Sequence, residues 1–185
     1  GHFVRRLGRS FVASGFERSP YALERARGLN PGATFYGQLA DLPSASFAGL
    51  CCLHVLEHID DAGLDEVLAT WRRMLAPGGR VLCVVPDVGG RGRAIKAERW
   101  FAYRDATHIN LKSRLQYRAL FASRGFAVVA EGTDGLWDFP YRPGFPRWLD
   151  LAWHATPTVL QFLSGRLLLS AGSGESAVFI LERMR

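Results

Sequence analysis

Three places in this 185-residue chain group side chains that could do chemistry. The first is Glu17, set just ahead of Ser19-Pro20. An acid that ends a strand of a nucleotide-binding fold can accept both ribose hydroxyls of a nucleotide. An acid in that place can also simply favour the positive end of the following helix. The second place is His54, Glu57 and His58, spaced i, i+3 and i+4. On a helix these three would converge on a metal, but here they follow an apolar run and fall in a turn. Two imidazoles also argue against magnesium, which prefers oxygen ligands. No metal ligand set is assigned, and Glu57 and His58 are read as a structural hydrogen-bonding pair. The third is His108, close after Asp105. Its imidazole suits a general base that deprotonates an acceptor hydroxyl or amine, or a plain hydrogen bond within the Asp105 loop.

The elements that must hold these residues can be read from spacing and punctuation. Residues 1–7 read as the tail of a helix closed by Gly8, and residues 11–16 as a short apolar strand. Ser19 offers an N-cap and Pro20 the favoured first helical position, with Gly28 as the stop. Residues 34–36 form a brief strand. The continuous apolar run 47–53 fits a strand buried on both faces of a parallel sheet. Asp60 or Asp61 caps a helix carrying Leu64, Val67, Leu68, Trp71 and Leu75, and Pro77-Gly78-Gly79 ends it. Residues 81–85 are a second two-sided strand closed by Pro86. After a Gly/Arg turn, Ser113 and Gln116 form a capping box for a helix that ends at Gly125. Residues 126–130 and 177–181 are the last strands. Strands alternating with helices imply a doubly wound α/β sheet. Between the last two strands lies an insertion, residues 133–174, rich in aromatics (Trp137, Phe139, Tyr141, Phe145, Trp148, Trp153) among Pro140, Pro143 and Pro146.

Composition bounds the rest. The chain is 48 % hydrophobic and 22 % charged, which excludes a disordered or disulfide-built protein. Cys51, Cys52 and Cys83 read as buried thiols of a reducing compartment, so the cytoplasm is expected. Net charge is +6, with Lys96 and Lys112 as the only lysines. The arginines are scattered from Arg5 to Arg185, which argues against nucleic acid as partner. The apolar stretch 158–171 is broken by Gln161 and Arg166 and is too short to span a bilayer, though peripheral contact with a membrane stays open. The opening residues carry no leader pattern, and without an initiator Met they read as the start of a piece cut from a longer protein.

Five segments, in order, resemble class I S-adenosylmethionine-dependent methyltransferases of the small-molecule and lipid branch. GFERSPYALERAR from Gly15 resembles the second-strand motif, and YGQLADLPSASF from Tyr36 the loop over the adenine. HVLEHI from His54 matches the motif after the fourth strand. RMLAPGGRVLCVVP from Arg73 matches the helix–PGG–strand element. DATHINLKSRLQYRALFASRGF from Asp105 resembles a later D-x-T-H segment and its helix.

The resemblance implies a Rossmann-like sheet with helices on both faces and S-adenosylmethionine as cofactor. Gly1, Glu17, Arg18, Gln38, Leu39, Leu53 and His54 would line the cofactor: Glu17 on the ribose, Gln38 and Leu39 on the adenine edge, His54 on the methionine side. His108 and His54 are the catalytic candidates. Gln38 stands where the family often has an acid, and its amide oxygen can still accept a bond from the adenine amino group. The glycine-rich loop should precede the ribose acid by about 16–18 residues. Gly1-His2-Phe3 therefore resembles the loop's end, and the first strand is expected to be missing, leaving a gap in the sheet. The expected function is methyl transfer to a small-molecule or lipid-linked acceptor, with the insertion as a cap. The alternative is a non-catalytic methyltransferase-like scaffold. A nicotinamide-dependent reductase would share the ribose acid but leaves HVLEHI and PGG unaccounted for.

Overall fold

The computed structural model describes residues 1–142 and 144–184; Pro143 of the aromatic–proline stretch and Arg185 lie outside the described residues. Two compact units make up the chain, Gly1–Ser44 and Ala45–Arg185.

The first unit has helix α1 (His2–Leu7), strand β1 (Ser14–Phe16), helix α2 (Pro20–Leu29) and strand β2 (Thr34–Tyr36). The two strands pair in parallel, Gly15 opposite Phe35. The Ser19 side chain accepts from the Ala22 amide with Pro20 at the first helical position, so this start forms as expected. Gly28 does not stop α2; the helix runs on to Leu29 and is capped at Asn30. The strand expected from residue 11 begins only at Ser14, with Phe11 and Val12 exposed. Apolar character alone does not make a strand where no ladder partner exists for it. Gly15 is required by packing: a side chain there would enter the buried Phe35 ring.

The second unit holds β3 (Phe47–Leu53), α3 (Asp61–Met74), β4 (Leu75–Pro86), α4 (Arg91–Lys96), α5 (Arg114–Ser123), β5 (Phe126–Thr133), α6 (Arg147–Ser164) and β6 (Ser176–Arg183). Its sheet order is β3-β4-β6-β5, with β3 parallel to β4 and β6 antiparallel to both its neighbours. The sheet is therefore mixed, and β3, β4 and β5 all end at the same edge. Asp60 caps α3 through the Gly63 amide, and the Ser113–Gln116 capping box opens α5. The Pro77-Gly78-Gly79 segment lies inside β4, because α3 has already ended at Met74. Gly78 has φ +74 there, a conformation that favours glycine.

One face of this sheet forms the core. Val81, Cys83, Val85, Ala177, Phe179 and Leu181 are fully buried on it. Helices α3 and α5 cover it, with Trp71 edge-on to Phe126 and Phe121 edge-on to Phe179. Burying a side chain of this size contributes about 1.5–3 kcal/mol. On the opposite face Cys51 is exposed and Leu53 remains partly so. The expectation of a two-sided buried β3 is thus corrected, as is that of three buried thiols: Cys83 is buried, Cys52 half-buried and Cys51 exposed. That face of the sheet is only partly covered, for Leu82 and Val84 of the interior strand β4, which pair with Cys51 and Leu53, are also just half-buried.

Candidate functional site

In open α/β sheets ligands lie at the carboxyl ends of the strands. In the second unit that edge carries His54 after β3, Asp87 after β4 and Asp134 after β5. His54 holds φ +51 while its amide donates to the Val84 carbonyl at 2.8 Å. This left-handed backbone is uncommon outside glycine and marks a constrained position. Its ring stands edge-on to Phe101, which in turn packs against Trp137 at 4.6 Å. Leu53, the other cofactor candidate on this strand, is the last residue of β3.

Behind His54 lies Glu57, fully buried. His54 Nδ1 approaches Glu57 Oε1 at 3.3 Å, yet neither carboxylate oxygen of Glu57 has a hydrogen-bond partner. The expected Glu57–His58 pair is not formed by their side chains. His58 instead faces His108, their ring centroids 4.6 Å apart. The Asp105–Thr107 turn positions both rings. Asp105 Oδ1 accepts from the Thr107 amide and hydroxyl, and these bonds, the hydroxyl first, hold the Asp105 carboxyl below its usual range. The His108 amide then donates to the Asp105 carbonyl. His108 is therefore tied to its loop, with Nδ1 2.7 Å from the Ala102 carbonyl and Nε2 3.7 Å from Asp105.

Four acids that the sequence reading missed organise this edge. Asp87 Oδ1 accepts from the Gly89 and Arg114 amides. Asp134 accepts from Trp137 Nε1 and the Ser176 amide; burial nevertheless pushes its carboxyl up. Fully buried Glu175 accepts from Trp100 Nε1 at 2.6 Å and from the Tyr141 hydroxyl, and burial raises its carboxyl too. Asp138 pairs with Lys96 and Arg104. Asp87, directly after a strand and before Gly89-Gly90, had a readable signal. Glu175 had none, because its partners lie 34 and 75 residues away.

In the first unit, Glu17 follows β1, its amide donating to the Tyr36 carbonyl. Glu17 Oε1 accepts from the Ser19 amide at 2.9 Å, and among the described residues no protein donor meets Oε2. One oxygen is thus oriented by the backbone, and a carboxylate held this way could accept a hydroxyl donor. Arg18 and Gln38 are exposed and Leu39 half-buried; Gln38 precedes the short turn Leu39–Asp41. Gly1 lies against α2, where a side chain would meet Ala26, and its carbonyl accepts from Asn30 Nδ2 at 3.1 Å.

Residues 1–131 match the family model described as a methyltransferase domain. No curated relative matches the sequence. Among solved structures, an S-adenosylmethionine-dependent methyltransferase from Archaeoglobus fulgidus is similar at 14 % identity. Its TM-score is 0.64, over 99 % of this chain and 81 % of that one. A complex between the Haloferax volcanii Trm112 methyltransferase activator and a methyltransferase is similar at 17 % identity and TM-score 0.67, over 100 % and 79 %. Geranyl diphosphate C-methyltransferase from Streptomyces coelicolor, solved with Mg2+, geranyl diphosphate and S-adenosylhomocysteine, gives 16 % and 0.59, over 99 % and 68 %. These likenesses show the fold, and the family match spans most of the chain. By that match the chain belongs to the methyltransferase-domain family, and its fold is that of class I S-adenosylmethionine-dependent methyltransferases.

Proposed function

We propose that this methyltransferase acts on an apolar, lipid-linked acceptor and meets it at a membrane surface. The observation that carries the reading is the orientation of α6. Its polar stripe turns inward: Asp150 accepts from the Tyr141 amide, Thr158 donates to the Asp134 carbonyl and Gln161 to the Thr133 carbonyl. Its apolar side chains turn outward, with Trp148, Trp153, Phe162 and Leu163 all strongly exposed, Phe162 at 80 %. Soluble helices bury the apolar stripe and wet the polar one. A helix turned the other way suits the headgroup–acyl boundary of a bilayer. Arg142, beside the Phe145 and Trp153 rings, supplies charge for an anionic surface. No helix among the described residues is long and apolar enough to cross a membrane, so α6 would lie on the surface. The insertion, residues 133–174, then serves as the cap that selects the acceptor.

S-adenosylmethionine supplies an already activated methyl group, so the protein's task is alignment and exclusion of water. In the first unit Glu17 holds the ribose, Gln38 and Leu39 border the adenine, and Gly1 and Arg18 flank them. The second unit's own candidates are Leu53 and His54, with the Phe101 and Trp137 rings beside His54. His54 and His108 are the proton acceptors to test, and His54 is the better placed because its ring reaches solvent while His108 is buried against its loop.

The test is incubation of the chain with methyl-labelled S-adenosylmethionine and a total lipid extract, followed by partition. Label in the organic phase is the expected result, and label only in water-soluble acceptors overturns the lipid reading. Glu17→Ala checks the donor side separately. It should weaken S-adenosylhomocysteine binding by about 1.5–3 kcal/mol, and unchanged calorimetric affinity would remove Glu17 from the site.

A further inference from the structure

We propose that the cavity framed by α4, α6 and the segments joining α6 to the sheet is an anion subsite, taking the phosphate group of a lipid-linked acceptor. The lipid as carrier rests on the outward face of α6 proposed above. The phosphate rests on the cavity itself, which joins two arginines, a buried histidine and an apolar wall.

The cavity lies within the second unit and measures about 180 Å3. Arg91, the first residue of α4, lines one side and His154 of α6 another. Leu136, Trp153, Pro157 and Leu169 supply the apolar wall. Pockets that hold a whole drug-sized ligand run about 300–1000 Å3. A space of this size admits a headgroup and the first carbons of a chain, and leaves the rest of the lipid outside.

The charge around it is uneven. The Arg142 guanidinium sits 5.8 Å from the centre of the Trp153 ring. Nearby acids are already engaged: Asp138 pairs with Lys96 and Arg104, and Glu131 with Arg114 and Arg118. Among the described residues Arg91 and Arg142 form no ion pair, and both side chains are exposed. The one acid facing the histidine is Asp150, fully buried, with Oδ2 accepting from the Tyr141 amide and Oδ1 3.4 Å from His154 Nε2.

That geometry turns Nε2 of His154 toward Asp150 and leaves Nδ1 for a ligand. The imidazole side chain is only 10 % exposed. Burial holds it below its ordinary range, and Arg142 and Arg91 push the same way, against the pull of Asp150. One carboxylate against two guanidiniums leaves the site one charge positive, and an imidazole that takes up a proton as the anion arrives adds a second. A phosphate monoester, with about two negative charges near neutral pH, matches that balance, whereas a carboxylate fills half of it. Guanidinium groups also meet phosphate oxygens in pairs.

The experiment is calorimetric titration of the full chain at pH 7 with octyl phosphate below its micellar concentration, beside inorganic phosphate and octanoate. Octyl phosphate should saturate one site, with octanoate and inorganic phosphate each about tenfold weaker or more. Arg91→Gln and Arg142→Gln should each weaken it about tenfold. His154→Gln should weaken it too and remove the proton uptake that makes the heat depend on the buffer. Circular dichroism checks folding, and the two exposed arginine variants decide the matter if His154→Gln unfolds. Phe162→Ser, outside the cavity, should leave octyl phosphate binding unchanged, so lost vesicle attachment with this binding intact counts against the membrane reading alone. No saturable octyl phosphate binding, equal affinity for octanoate, or unaltered affinity in folded Arg91→Gln and Arg142→Gln would each overturn the subsite. Inorganic phosphate binding as tightly as octyl phosphate would overturn the lipid as its source.

Discussion

The buried face of the four-stranded sheet and helix α6 use the same kinds of side chain in opposite ways. On the sheet, Val81, Val85, Phe179 and Leu181 vanish beneath α3 and α5. On α6, Trp148, Leu160, Phe162 and Leu163 stand in solvent while Asp150 and Gln161 are turned to the protein. The difference teaches that hydrophobicity here serves two ends. One set stabilises the fold, and the other is held outward at a cost that folding alone does not explain. Between them lies residues 134–141, part of the insertion by sequence but part of the core by packing. Leu136 and Tyr141 are buried, and Tyr141 reaches Glu175 at the head of β6.

Substitutions can break that contrast. Phe179→Ala should have the largest effect, a loss of about 3–5 kcal/mol in urea unfolding, since it opens a cavity against Phe121. A loss under about 1 kcal/mol would mean the sheet face is not the tightly packed layer described. Tyr141→Phe should come next, at about 1–3 kcal/mol. It strands Glu175 Oε1 and the Asp138 amide, both of which use the hydroxyl. A neutral result in the same denaturation series would move residues 134–141 out of the core and into a detachable cap. Phe162→Ser should change stability by no more than about 0.5 kcal/mol, yet lower sedimentation with anionic vesicles severalfold. Equal vesicle binding by the two proteins would leave the outward face of α6 without its assigned role.

The family, the donor and the strand edge were legible because their signals are local. Ser19, Asp60 and the Ser113–Gln116 box each satisfy helix amides within three residues, so residue type and spacing suffice to find them. The same holds for β2 and β3, whose bounds follow from short apolar runs between turn residues. Even the inversion of α6 left a trace, since Asp150, His154, Thr158 and Gln161 repeat at helical spacing. Aromatic residues dominate the composition around them, and only the bonds from that stripe to Tyr141, Asp134 and Thr133 show which side faces in.

By itself, the sequence determined where helices start, which segments can be strands, and which acid follows β1, because each depends on interactions a few residues long. Tertiary structure alone decided three other matters. It made β3 an edge with Cys51 exposed, inserted antiparallel β6 between β4 and β5, and paired His58 with His108 through the Asp105–Thr107 turn. Burial and juxtaposition are set by which distant segment occupies the neighbouring space. That depends on how the whole chain closes its ladder hydrogen bonds and fills its core, and no window of residues contains it.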